Sequence, residues 1–505
     1  MQLVETQEMN WSTMIEAYEN TPIWGMYIDG KWVTAEDGGT FETKNPTTGS
    51  VLANIPDATQ TDVEAAIAAA KAAQPAWEAL PPGAKSALFM KVIALFQERQ
   101  QEFVQALIQE TGSGFGKAMF ECSLTVPAML EAAGLPTKAV GEIYPSHVPG
   151  KVNRIVRKPA GVVGALMPWN FPLYLSLRGF MYAVALGNTA VLKPSEDTPI
   201  AGGLMIAQLF ADAGFPPGVI NVVTTSRDRA PMVGDRFIKD KRINVVSFTG
   251  STKVGQMIST GCASEFKPTM MELGGKNASI ILDDADVDRA VDLTFLGSFI
   301  HQGQICMSTD KILVHRSIYD EFLQKLVGKT SHFVPMEPQE QMCVVGPIIN
   351  TRQLRRIERV VNDAVAAGAK IEIGGKAEDP YYHPTILTGV TPEMEAWNEE
   401  LFGPVTTVTP FDTEEAALAM ANDTAYGLTG SIITGNALRG EMLAEQFEAG
   451  MIHVNDSTVH DDPHCPFSGH GASGAGGKWG PQGVIEAFTT QRWISTQRKP
   501  HPLPF

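Results

Sequence analysis

The chain reads as an α/β protein made of two strand-and-helix regions and a small exposed β ribbon. Three observations carry that reading. From Gly161, short apolar runs (GVVGALMPW, TAVLKP, INVVT and INVVSFTG) alternate with helical stretches, the pattern of a buried parallel sheet with helical crossovers. A second alternation follows Glu272, with ASIILDD and DKILVHR as its first strands. Residues 139–160, AVGEIYPSHVPGKVNRIVRKPA, alternate apolar and polar residues instead, as an exposed hairpin does.

Length and composition agree with this reading. At 505 residues the chain is too long for one core. With 44% hydrophobic and 19% charged residues it is neither disordered nor fibrous. A formal charge of -17 repels nucleic acid and anionic membrane, so neither is expected as a partner. No run reaches the 18 or so apolar residues of a membrane span. The first 24 residues hold no Lys or Arg and no apolar core, unlike a secretory or transit leader. Cys122, Cys262, Cys306, Cys343 and Cys465 are odd in number, far apart and without a CxxC pair, so free thiols in the cytoplasm are expected, with no metal site.

Taken in order, residues 26–53 pair β-prone runs with the turn clusters EDGG and NPTTG, which predicts hairpins. An Ala-rich helix follows Asp57, with Thr61 or Asp62 as N-cap and Pro81-Pro82-Gly83 as its stop, and a second helical run covers 84–112. In the first alternating region helices are expected near 173–187, 199–213 and from Ser251. The second region has helices near 286–302, 317–328, 351–367 and 413–421. The β-prone end, residues 487–495, is a candidate partner for the 139–160 ribbon.

Four short stretches carry residues able to do chemistry. Asn170, in PWNFP, follows the first strand of the regular region, where open parallel sheets place ligand loops; its amide can donate to an oxyanion, or it can simply close a turn between prolines. Lys193, Ser195 and Glu196, in KPSE, end the next strand; they can hold ribose or phosphate, or form an ordinary charged strand end. FTGSTKVG, with Gly250, Ser251 and Gly255, places a helix start after a strand, where free N–H groups can face a pyrophosphate, although it matches neither GxGxxG nor a P-loop. Glu272 lies between an apolar pair and Gly274-Gly275; it can be a desolvated base or the partner of Lys276. Cys306, in HQGQIC, is a candidate nucleophile by residue type, though a lone cysteine is more often a small buried hydrophobe.

Together, PWNFP, KPSE, FTGST, ELGGK, GQIC, ELFGP and PFSGHGASGAG stand in the order seen in aldehyde dehydrogenases, and the chain resembles that superfamily from about residue 26 to 496. The resemblance implies a Rossmann-type cofactor domain (1–138 and 161–272), an α/β catalytic domain (273–475) and an oligomerisation ribbon and arm (139–160 and 476–505). It implies oxidation of an aldehyde to the acid by Cys306, through a thiohemiacetal and a thioester, in a homodimer or homotetramer. Asn170 and the Cys306 N–H would hold the oxyanion, and Glu272 would activate water. Collapse of the thiohemiacetal would send hydride to a nicotinamide. Lys193, Ser195 and Glu196 would meet the adenine ribose, and Trp169, Gly250, Ser251 and Gly255 would belong to the cofactor site. Glu400 would hold the nicotinamide ribose, with Phe402 beside the ring. A carboxylate at Glu196 would repel a 2′-phosphate, so NAD is expected, with Lys193 and Ser195 leaving room for NADP.

The stretch around Arg178 is similar to that of benzaldehyde, vanillin and salicylaldehyde dehydrogenases. Arg178 is read as a polar handle at the mouth of an apolar slot formed by Phe171, Tyr174, Met307 and Phe467, suited to an aryl aldehyde; the alternative is a structural ion pair. The chain departs from the family pattern at Gly471 and at Gly477-Lys478, where many members carry Lys and Arg-Glu; the second change leaves Glu272 as the sole expected base.

Overall fold

The structure is a computed structural model that describes residues 25–340, 343–498 and 500. The reading of the first 24 residues lies outside these, as does the end of the expected arm. Two sheets dominate. In spatial order the first runs Lys31–Val33, Met26–Ile28, Ile220–Val222, Thr189–Lys193, Val162–Leu166, Ile243–Thr249, Thr269–Glu272 and Gly474–Gly476. Its centre is parallel, and antiparallel strands close both edges. From the central strand Val162–Leu166 the chain winds outward through Thr189–Lys193 to Ile220–Val222, then crosses back to Ile243–Thr249 on the other side. That reversal leaves a crevice outside the carboxyl ends of Val162–Leu166 and Ile243–Thr249, the place where such sheets bind ligands.

The second sheet orders Lys370–Ile373, Thr385–Thr388, Val405–Phe411, Thr309–His315, Asn277–Ile281, Thr429–Ile433 and Met451–Val454. The chain passes from one sheet to the other over only four residues, Leu273 to Lys276. The carboxyl ends of the first sheet therefore meet the amino ends of the second. Glu272 closes a strand of the first, while Cys306 and Phe402 each lie three residues before a strand of the second.

The ribbon forms as expected. Glu142–Tyr144 pairs with Lys151–Pro159, and Thr489–Gln497 adds to the latter in antiparallel register from Thr489 opposite Pro159 to Gln497 opposite Lys151. The return of the chain is less simple than an arm. Gly474–Gly476 pairs with the first sheet, and Trp479, Val484, Ile485 and Phe488 are buried in its core, so the strand that leaves the body starts at Thr489.

Several local expectations are corrected. The first helix, Gln60–Ala79, is capped by Thr59, not by Thr61 or Asp62: Asp62 is the third helical residue, and its carboxylate accepts the Thr59 N–H at 2.8 Å to complete a capping box. Pro82 and Gly83 do not lie in the stop; they open the next helix, Pro82–Glu98, where proline lacks only an N–H that has no helical partner. The run to 112 is two helices broken at Arg99, and a further helix, Phe115–Gly134, was not anticipated.

Candidate active site

The stretch before Cys306 is held in a backbone form that few residues adopt. After the helix Val287–Phe299, His301, Gln302 and Gly303 all take positive φ, at 52°, 55° and 66°. Such a run of left-handed residues persists only where its surroundings impose it. The Gln302 amide donates to the Pro347 carbonyl at 2.8 Å, and Gln304 Oε1 accepts the Ile349 N–H at 3.0 Å. The Asn277 amide donates to the carbonyls of Cys306 and Ser308, both at 2.8 Å. A Cβ on Gly275 would lie 2.5 Å from the Cys306 carbonyl oxygen, so only glycine allows this approach.

Cys306 opens onto a cavity of about 370 Å³. Asn170, Trp169, Gly250, Ser251, Glu400 and Phe402 line it as well, which brings together stretches read separately in the sequence. Asn170 is not merely a turn residue: it is buried, and its amide donates to the Gln304 carbonyl at 3.0 Å. One N–H of that amide remains for another acceptor. Among the described residues the Cys306 backbone N–H donates to no backbone acceptor. Burial, and then Glu400, push the Cys306 thiol up to about 12, against the pull of Arg178, so forming the thiolate requires help.

Glu272 ends the strand paired with Ile243–Thr249 and is buried, with Oε2 unpartnered. Burial raises its carboxyl well above the ordinary range, only partly opposed by Arg178. Lys276 is not its partner; that ammonium pairs with Asp310 at 3.4 Å.

The rest of the cavity offers groups for a nucleotide. The helix Thr252–Ser264 starts at Ser251 without a side-chain cap, so its N-terminal N–H groups face the cavity, beside Lys253. Gly255 lies on that helix, where a Cβ would come 2.3 Å from Leu273 Cδ2; it sets how closely the helix packs. Trp169 and Phe402 meet edge to face at 5.4 Å. Glu400 accepts the Gly275 N–H at 3.1 Å, Arg356 binds its carbonyl at 2.6 Å, and burial pushes its carboxyl up to about 8. Lys193 and Glu196 pair at 3.4 Å away from this cavity, and Ser195 Oγ accepts the Asp197 N–H at 3.2 Å. Burial raises the Glu196 carboxyl, but Lys193 and the backbone outweigh it, leaving it below the usual range.

Phe171, Tyr174, Met307 and Phe467 are buried in one apolar cluster against which Cys306 packs. Arg178 is not an open handle at a mouth. It is buried, bonds Asp461 at 2.7 Å and lies 4.1 Å over the Phe467 ring, with Nε unpartnered. The Tyr174 hydroxyl donates to the same carboxylate at 3.0 Å. The ion-pair alternative for Arg178 is thus the one observed. Sequence reasoning assigned no role to Asp461, Asn277, Gln302 and Gln304: each acts on residues distant in the chain, and although Gln302 and Gln304 stand in HQGQIC beside Cys306, nothing local shows what their amides hold.

The aldehyde dehydrogenase family pattern matches residues 32–494. The chain belongs to the aldehyde dehydrogenase family. Like its relatives it is an oxidoreductase acting on the aldehyde group. It is 40% identical to the benzaldehyde dehydrogenase [NAD(+)] of Pseudomonas putida over 96% of this chain and 99% of that protein. It is 40% identical to the vanillin dehydrogenase of an Amycolatopsis species, over 95% and 98% of the two chains. The crystal structure of a salicylaldehyde dehydrogenase from Pseudomonas putida G7 complexed with salicylaldehyde superimposes with a TM-score of 0.93 at 33% identity, covering 96% of this chain and all of that one. The family resemblance seen in the motifs thus extends to the whole fold.

Proposed function

We propose that the protein oxidises aromatic aldehydes to carboxylic acids, with NAD preferred over NADP. The observation that carries this is a single cavity shared by Cys306, the Asn170 amide and an uncapped helix N-terminus, with Glu272 buried at the same sheet junction. The cavity's own groups fit part of a dinucleotide, with free backbone N–H groups for a pyrophosphate and Glu400 for one ribose; Lys193 with Glu196, outside that cavity, would hold the other. When bound, the nicotinamide supplies the hydride acceptor.

The chain's own residues do the rest. Glu272 takes the thiol proton, directly or through water, and the Cys306 sulfur attacks the aldehyde carbon. The carbonyl oxygen becomes an oxyanion held by the second Asn170 N–H and the Cys306 N–H; one such donor contributes roughly 10²–10³ in rate. Glu272 passes the thiol proton to solvent; after oxidation to the thioester it takes a proton from the water whose attack releases the acid, and returns that proton to the departing Cys306 sulfur.

Three relatives named for aryl aldehydes support the substrate class. Arg178, buried and paired with Asp461, offers no free charge to a substrate. An ionised Glu196 disfavours a 2′-phosphate. We also assign a cytoplasmic location, a homodimer or homotetramer joined through the ribbon, and the domain division stated above, with Thr489 as the start of the arm.

A matrix of aldehydes against NAD and NADP tests this reading. Higher kcat/KM for benzaldehydes than for short aliphatic aldehydes, and for NAD than for NADP, is expected. Reversal of either order refutes that part.

A further inference from the structure

Lys117 and Glu121 are fully buried polar residues one turn apart on the helix Phe115–Gly134, and neither has a role in the chemistry above. Lys117 Nζ donates to Glu121 Oε2 at 2.6 Å and to the Asn170 carbonyl at 2.7 Å. Glu121 Oε1 accepts the N–H groups of Leu173 and Tyr174 at 2.9 and 3.1 Å. These two N–H groups belong to the first turn of the helix Pro172–Ala185, whose N-cap, Phe171, makes no side-chain cap and whose first residue is proline. Between the two anchors, Lys117 also sits 4.1 Å from the centre of the Phe171 ring.

We propose that Lys117 and Glu121 are positioning residues that fix the Asn170 amide where an oxyanion forms, an inference that rests on the oxyanion role assigned to Asn170. One ion pair grips the backbone on both sides of Phe171: the ammonium holds the carbonyl of Asn170, and the carboxylate holds the helix start beyond it. The Asn170 side chain is tied separately to the Gln304 carbonyl. With its carbonyl and one amide N–H both fixed, the remaining N–H has a single direction. Displacement of a catalytic group by about 1 Å can lower the rate 10²-fold. Stability alone does not require this pair, since buried ion pairs replaced by apolar groups of similar volume are often as stable or more so.

The test is a double-mutant cycle on the full-length enzyme with NAD and benzaldehyde, reading kcat, KM and thermal midpoint. Its variants are Asn170→Ala, Lys117→Met, Lys117→Met with Glu121→Gln, and the three changes together. The Lys117→Met, Glu121→Gln variant removes both charges but keeps an amide oxygen for Leu173 and Tyr174, so it guards against loss of the fold. Asn170→Ala is expected to lower kcat roughly 100-fold, the effect of losing one oxyanion donor. The charge-free pair is expected to lower kcat about tenfold or more with little change in KM, and to add less than about twofold in the Asn170→Ala background, because groups that act through one another are not additive. A pair variant that retains wild-type kcat, or whose loss multiplies in full with that of Asn170→Ala, overturns the positioning role. Wild-type kcat in Asn170→Ala itself would overturn the oxyanion assignment and this inference with it.

Discussion

At the scale of single residues, burial sets the chemistry of the site. It raises both Cys306 and Glu272, which disfavours the charged form of each. Because the base form of Glu272 grows with pH, kcat should rise as pH is raised above the ordinary carboxylate range in the wild type, and Glu272→Gln should lose that rise together with most of its activity. The same shift makes a stability prediction. A carboxyl whose folded pKa is raised contributes fully below its ordinary value of about 4.5, and this is lost as pH rises toward the raised value. The thermal midpoint of Glu272→Gln relative to wild type should therefore increase between pH 5 and pH 8, and a constant difference would contradict the burial argument. Cys306, Glu272 and Asn170 were legible because each stands in a distinctive motif. Asp461 was not: it meets Arg178 across 283 residues of chain, and nothing local marks it as buried.

At the scale of elements, the left-handed turn from His301 to Gly303 gives Cys306 its place. Gly303 cannot accept a side chain: a Cβ would lie 2.1 Å from the Gly403 carbonyl oxygen and 2.9 Å from that of Ser298, and backbone atoms do not yield as side chains do. Gly303→Ala should destabilise the fold by more than about 1 kcal/mol and depress activity, since alanine at positive φ is strained as well as crowded. Gly116→Ala, which meets nothing within 4 Å, is the control, and equal thermal midpoints for the two variants would refute the argument. Most strands and helices of the alternating regions were legible as apolar runs. The helix Phe115–Gly134 was not, because its inward face carries Lys117, Glu121 and Thr125 and its interior carries Pro127, which together blur the amphipathic pattern. The Thr59 cap was displaced for a related reason: several hydroxyl and acidic residues crowd that terminus, and only the geometry selects one.

At the scale of the whole molecule, the active site is a product of topology: two sheets meet end to end across four residues, so loops from both surround one cavity. The strand order that produces this was not legible, since it depends on pairings between distant segments. The ribbon leaves Ile143, Tyr144 and Trp493 exposed at 76%, 50% and 66%, an apolar surface that a second copy of the chain would cover. Trp493→Glu with Ile143→Asp should shift the mass measured by light scattering toward a single chain, and an unchanged mass would place the interface elsewhere. If Cys306 and a nicotinamide together oxidise an aldehyde in this cavity, benzaldehyde and NAD give steady NADH formation, followed by absorbance, in the wild type and none in Cys306→Ala. Comparable turnover in Cys306→Ala, or none in the wild type across a broad aldehyde panel, would rule that chemistry out.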